Sequence, residues 1–190
     1  ERLEGGGKFE QTILENLRVS GVQNTRKSER LNFTSLENFT GTYLQASGTY
    51  LENQQTKRVA VCIGPEHGTV TPALVREAAK EAMLGIGFDL LVVLGFAFDP
   101  HISEEVKEYG KLKVFPARIN PDLMMGDLLK KTKAANLFTA YGEPDIDLIK
   151  QDGKLVVKLK GVDIFDPTTG EIRSSKPNEI ACWFIDDDYN

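Results

Sequence analysis

Arg58-Val-Ala-Val-Cys-Ile63, Phe88-Asp-Leu-Leu-Val-Val-Leu94 and Leu112-Lys-Val-Phe115 are three short apolar runs in the middle of a 190-residue chain. Each leads into a loop containing Gly or Pro, and each loop closes on a polar residue followed by proline: Thr71-Pro72, Asp99-Pro100 and Asn120-Pro121. The side-chain oxygen of Thr, Asp or Asn accepts from a free amide of the first helical turn, and proline fits that turn because it has no amide to leave unpaired. The pattern predicts three strand-then-helix units. Nearly unbroken apolar strands alternating with helices indicate a parallel sheet covered on both faces. The expected fold is α/β: a Rossmann-like layered domain with a three-strand parallel βα core and a C-terminal antiparallel β meander. In such sheets ligands bind at the carboxyl ends of the strands.

The first helix carries Leu74, Val75, Ala78, Ala79, Ala82 and Met83 on one face, a core stripe. A second is expected over residues 100–109, with Gly110 as its C-terminal cap. A third starts at Pro121 and includes Leu123, Met124, Leu128 and Leu129, weakened by Gly126. Ahead of the core, residues 1–10 read as a linker and residues 24–35 as a polar loop. Residues 43–51 read as a strand or hairpin with Tyr43 and Tyr50 around Gly48. Beyond Phe138, Asp145-Ile-Asp-Leu-Ile149 and Leu155-Val-Val-Lys-Leu159 flank Asp152-Gly153, a strong hairpin signal. Val162-Asp-Ile-Phe165, the turn Asp166-Pro-Thr-Thr-Gly170 and a last strand Ile180-Ala-Cys-Trp-Phe-Ile185 complete a meander. The expected division is residues 1–56 as linker and short β segment, 57–140 as the parallel core, and 141–190 as the meander packed on the same domain.

Hydrophobic residues at 41% suffice for a core, and 27% charged residues suit a soluble protein. No stretch approaches the roughly 18–20 continuous apolar residues of a membrane span. The chain opens without Met or a signal peptide and stops at Asp186-Asp-Asp-Tyr-Asn190, which reads as a piece of a longer protein. Cys62 and Cys182 both sit in apolar strand patterns, without zinc-ligand spacing, as suits a cytoplasmic protein. A net charge of -5 argues against a strongly basic nucleic-acid module. Residues 111–133 nevertheless carry Lys111, Lys113, Arg118, Lys130, Lys131 and Lys133 against only Asp122 and Asp127. That segment is a candidate contact for phosphate or an acidic partner, or simply a solvated surface.

Glu66 and His67 follow the first strand, and Asp99 and His101 follow the second. If the strands are neighbours, two imidazoles and two carboxylates converge on one crevice, a composition suited to a divalent metal or acid–base work. Asp99 also has a sufficient role as a helix cap. The loop Gly64-Pro-Glu-His-Gly-Thr-Val-Thr71 opens a helix but lacks both nucleotide-phosphate spacings, so tight-turn glycines explain it. Pro144-Asp145 with Lys158-Leu-Lys160 follows the outline of a PD-(D/E)xK nuclease, where two acids hold Mg²⁺. Lys158 occupies the position of the second acid, and a cation cannot ligate magnesium. The alternative function is thus a metal-dependent or ligand-binding α/β domain with a degenerate nuclease-like site.

Leu94-Gly-Phe-Ala-Phe-Asp-Pro-His101, Ala117-Arg-Ile-Asn-Pro-Asp-Leu123, Gly142-Glu-Pro-Asp-Ile146, Gly161-Val-Asp-Ile-Phe-Asp-Pro-Thr-Thr-Gly-Glu-Ile172 and Cys182-Trp-Phe-Ile-Asp-Asp-Asp-Tyr189 share the wording of one protein group. They resemble the carboxy-terminal region of site-specific adenine DNA methyltransferases, the modification subunits of type III-like restriction–modification systems. The resemblance runs from about Asn16 onward. It implies a parent enzyme that uses S-adenosylmethionine, acts on double-stranded DNA and joins a restriction subunit or a second copy of itself. Those enzymes bind the cofactor through Phe-x-Gly-x-Gly and hold the flipped adenine with Asp-Pro-Pro-Tyr. Asp99-Pro-His-Ile and Asp166-Pro-Thr-Thr begin alike but lack the second proline and the stacking tyrosine. The resemblance therefore implies no cofactor and no catalytic residue within these 190 residues, and a role in positioning on DNA or in subunit assembly.

Overall fold

The computed structural model describes residues 4–24, 30–85, 87–104, 108–124, 136–180 and 185. Where residues 1–10 read as a linker, the chain is helical: α1 spans Glu4–Ser20. Phe9, Ile13, Leu14 and Leu17 form one buried stripe along it, while Val19 is 89% exposed. Glycine at three of its first four positions lowers intrinsic helicity, but burial of that stripe supplies the missing stability. Four further strands precede or open the expected core. They are β1 (Val22–Gln23), β2 (Arg30–Leu31), β3 (Phe33–Asn38) and β4 (Ala46–Glu52). β4 turns through Asn53-Gln54, both with positive φ, into β5 (Gln55–Ile63). That pair of left-handed residues matches the twist of a two-residue hairpin.

The first βα unit forms as expected. α2 (Pro72–Met83) begins with the Thr71 hydroxyl accepting from the Leu74 amide at 3.3 Å. Val75, Ala78, Ala79 and Ala82 face the sheet, and Met83 is exposed. β6 (Leu90–Gly95), β7 (Glu108–Tyr109), β8 (Leu112–Ile119) and β9 (Phe138–Ala140) complete the sheet. β5, β6 and β8 lie side by side and parallel, with Val59 opposite Leu90 and Leu90 opposite Lys113.

The second and third expected helices are corrected. After Asp99 the chain makes a five-residue 3-10 turn, Pro100–Glu104, anchored by buried Ile102. β7 then pairs antiparallel with the start of β8, and Gly110 with φ +66° serves that hairpin rather than capping a helix. Pro121 opens another 3-10 turn, Pro121–Met124. Leu128 and Leu129 lie outside the described residues.

The nine-stranded mixed sheet runs β2-β1-β9-β8-β6-β5-β4-β3, with β7 also on β8. Alternate residues feed two cores. Ala60, Cys62, Leu91, Val93 and Val114 pack under α2. Val59, Val61, Leu90, Val92, Phe115 and Ala117 share the opposite core with Phe9, Ile13, Leu14 and Leu17 of α1. Strands buried on both faces favour apolar side chains at nearly every position, which is why the three runs are nearly unbroken.

A second, three-stranded antiparallel sheet consists of β10 (Glu143–Gln151), β11 (Lys154–Asp166) and β12 (Glu171–Ser175). Asp152-Gly153, with φ of +50° and +73°, makes the expected hairpin turn. Residues 162–165 are not a separate strand but the continuation of β11, which pairs with β12 across the turn at residues 167–170. Most of the expected last strand, with Cys182, lies outside the described residues; Ile180 and Ile185 are not in strand. The turn meets the larger sheet. The Asn53 amide donates to Thr168 O at 2.9 Å, and Lys113 Nζ donates to Gly170 O at 3.3 Å.

Candidate functional site

At the carboxyl ends of the parallel strands the backbone closes on itself. The Gly64 amide donates to Leu94 O at 2.7 Å, Val70 to Ala97 O at 2.9 Å and Asp99 to Val70 O at 3.0 Å. Val70 and Phe98 form an isolated parallel bridge. A Cβ at Gly64 would lie 2.5 Å from Val70 Cγ2, and one at Gly95 2.4 Å from it. The absence of a side chain at these two glycines allows this close approach. Val70 fills the space between the two strand ends.

Of the four residues expected to converge there, Asp99 and His101 meet and form a local turn. Asp99 Oδ1 accepts from the His101 amide at 2.8 Å and lies 3.1 Å from His101 Nδ1. These bonds to His101, backbone first, hold the Asp99 carboxyl below its usual range. Glu66 and His67 are exposed on the preceding loop. Among the described residues no group of three or more His, Cys, Asp or Glu side chains is placed to hold a metal ion.

The basic set does not assemble as one surface among its described members. Lys111 is exposed on the β7–β8 turn. Lys113 is half-buried, 3.5 Å from Glu52 Oε1 and 5.1 Å from the Phe165 ring centroid. Arg118 is an even position on β8 and Lys113 an odd one, so they project from opposite faces of the sheet. Arg118 Nε donates to Phe96 O at 3.2 Å. Lys130, Lys131 and Lys133 lie outside the described residues.

On the nuclease-like hairpin, Lys160 reaches both Asp145 Oδ1 and Asp147 Oδ1 at 3.0 Å. Those two hydrogen bonds raise its pKa. Lys158 sits opposite Asp147, and the pairing shifts register between Asp145 and Ile146. The arrangement is an exposed cross-strand ion triad in which the carboxylates are already engaged by an ammonium. It offers a salt-screened brace for the hairpin, not a magnesium ligand pair.

The opposite end of the parallel strands holds a site that sequence reasoning missed. Tyr50 and Glu52 of β4, Lys57 of β5, Asp89 before β6, and Gly110, Lys111 and Lys113 around the β7–β8 turn line a cavity of about 210 Å³. Lys57 Nζ stands 3.9 Å from both Glu52 Oε2 and Asp89 Oδ1. Asp89 Oδ2 accepts from the Arg58 amide at 2.8 Å. The Tyr50 hydroxyl and Glu52 Oε1 are buried without a hydrogen-bond partner among the described residues. Burial first, then the charges of Glu52 and Asp89, push the Tyr50 phenol far above its ordinary range, so it stays a neutral donor. The available signals were Asp89, a lone acid inside an apolar run, and Glu52 and Lys57 flanking a hairpin turn.

No protein-family model, no curated protein and no solved structure matches this chain.

Proposed function

We propose that this chain is the non-catalytic carboxy-terminal portion of a cytoplasmic, S-adenosylmethionine-dependent, site-specific adenine DNA methyltransferase, and that it serves assembly of the modification enzyme. Double-stranded DNA is then contacted through the parent enzyme. The family resemblance from about Asn16 onward supports the first half of this reading, with the parallel centre flanked by α1 and α2 taken as its Rossmann-like layering. The second half rests on one observation, the β10–β11 arm. Ile146, Leu148 and Leu155 are 43%, 61% and 61% exposed. Cross-strand pairing of Ile146 with Leu159, Leu148 with Val157 and Lys150 with Leu155 puts all five apolar side chains on one face. A contiguous exposed apolar face of this kind marks a protein interaction site.

A second copy of the chain is the partner that fits. Among the described residues β10 is an edge strand, paired with β11 on one side alone. Antiparallel pairing of β10 with itself about a two-fold axis at Leu148 continues the apolar face across both copies. Light scattering on the eluting protein should give a dimer. Leu148→Lys with Leu155→Lys should give a monomer of unchanged thermal stability. A monomeric wild type, or a dimer indifferent to both lysines, overturns the assembly role.

A further inference from the structure

We infer that the cavity lined by Tyr50, Glu52, Lys57, Asp89, Lys111 and Lys113 is a binding site for a small zwitterion, a molecule bearing both an ammonium and a carboxylate as an α-amino acid does. The inference is independent of the assembly role, because the cavity lies on the larger sheet and the apolar arm on the smaller one.

The charges of the lining decide the class of ligand. Three lysines and two carboxylates line one small space, and the distances from Lys57 and Lys113 to Glu52 and Asp89, 3.5 to 3.9 Å, are longer than hydrogen bonds. Each has hydrogen-bonding capacity left for a third party. A plain anion would satisfy the lysines but leave Glu52 Oε1 with only Lys113 at 3.5 Å, and would add repulsion from Asp89. A plain cation would satisfy the carboxylates against three positive charges. A zwitterion answers both sets. Its ammonium meets Glu52 Oε1 and Asp89 Oδ1, and its carboxylate takes donors from Lys57, Lys111 and the Tyr50 hydroxyl.

Lys113 is the least available of the three, being held by Gly170 O and the Phe165 ring. Its place is the wall shared with the β11–β12 turn. A Cβ at Gly170 would come within 2.8 Å of Glu52 Oε1 and 3.1 Å of Lys113 Nζ, so the glycine lets that turn close over both side chains. The volume of about 210 Å³ is that of roughly seven water molecules. It falls below the ~300–1,000 Å³ of pockets for larger organic ligands. Unpartnered buried polar atoms are costly unless something donates to or accepts from them, which favours occupancy by a polar molecule.

Chemical-shift titration and thermal shift on the whole 190-residue chain test this with glycine, glutamate, methionine and lysine as probes. Acetate, ethylamine and inorganic phosphate carry one sign of charge each and serve as controls. At least one amino acid should give a saturable shift at the resonances of Tyr50 and Lys111, and the single-sign controls should not. Tyr50→Phe and Glu52→Gln, which preserve shape, should each weaken that binding about tenfold or more. Lys111→Ala, on the exposed turn, should weaken it too and carries the test if the buried variants do not fold. The inference fails if no amino acid saturates, if phosphate or acetate binds as well as any of them, or if the variants that fold bind like wild type.

Discussion

Phe165 of β11 meets Phe115 of β8 with ring centroids 6.1 Å apart and planes inclined by 70°. This edge-to-face contact brings the small antiparallel sheet against the core of the large one, and Lys113 Nζ stands over the Phe165 ring at 5.1 Å from its centroid. Aromatic pairs in this geometry contribute beyond the area they bury.

Phe165→Ala should therefore loosen the smaller sheet before the larger. The expected cost is about 2 kcal/mol, less than for a fully buried phenylalanine because Phe165 is only partly buried. Limited proteolysis should then cut first within residues 143–175, with the β5–β6–β8 centre still protected. Equal protection of both sheets in the variant would show that the ring pair does not join them.

Gly95→Ala should destabilise by about 1–3 kcal/mol, since its new methyl group would overlap Val70 Cγ2. Val70→Ala removes that Cγ2 and costs stability alone by leaving a cavity. Together the two changes should cost less than their sum, because the methyl of one occupies the space vacated by the other. Urea unfolding of the four proteins in the cycle measures the coupling, and simple additivity would contradict the packing described.

Asp99 should titrate below an ordinary aspartate, because its carboxylate accepts from the His101 amide and ring. A depressed folded-state value means the contribution of this turn is complete above the unfolded value of about 3.9 and is lost as pH falls through the folded value. NMR titration of the Asp99 carboxyl should show its midpoint rise in His101→Ala. An unmoved midpoint would assign the shift to the backbone amide alone.

Cys62 lies near the end of β5, fully buried against the α2 face. Burial first, then the nearby Glu81 charge, pushes its thiol up to about 12, leaving almost no thiolate at neutral pH. Labelling of Cys62 by a thiol reagent at pH 8 should follow global unfolding, with the modified site read by mass spectrometry. Fast labelling in native buffer would place that strand nearer solvent than described.

Legibility in the sequence followed the range of the interactions involved. The α2 unit was readable because Thr71, Pro72 and the apolar stripe all lie within one helix. The Asp152-Gly153 hairpin was readable for the same reason, since two adjacent left-handed residues dictate the turn. α1 was obscured by Gly5-Gly-Gly7, whose low intrinsic helicity is overridden only when Phe9, Ile13 and Leu17 reach the sheet. Residues 100–109 carried a convincing helix start, yet Glu108 and Tyr109 pair with β8 instead. The crevice residues were correctly placed on neighbouring loops, but Val70 occupies the middle of that space.

By itself the sequence determined that β5, β6 and β8 form a parallel centre, because runs apolar at nearly every position are stable only when both faces are covered. It also determined where α2 begins and where the second hairpin turns, since caps and turns are satisfied by residues a few positions apart. The tertiary structure alone decided that α1 covers the second face, that the strand ends close around Val70, and that Tyr50, Glu52, Asp89 and Lys113 meet at the other end. Those contacts join residues far apart in the chain, and their geometry follows from strand register and side-chain packing, which no local pattern encodes.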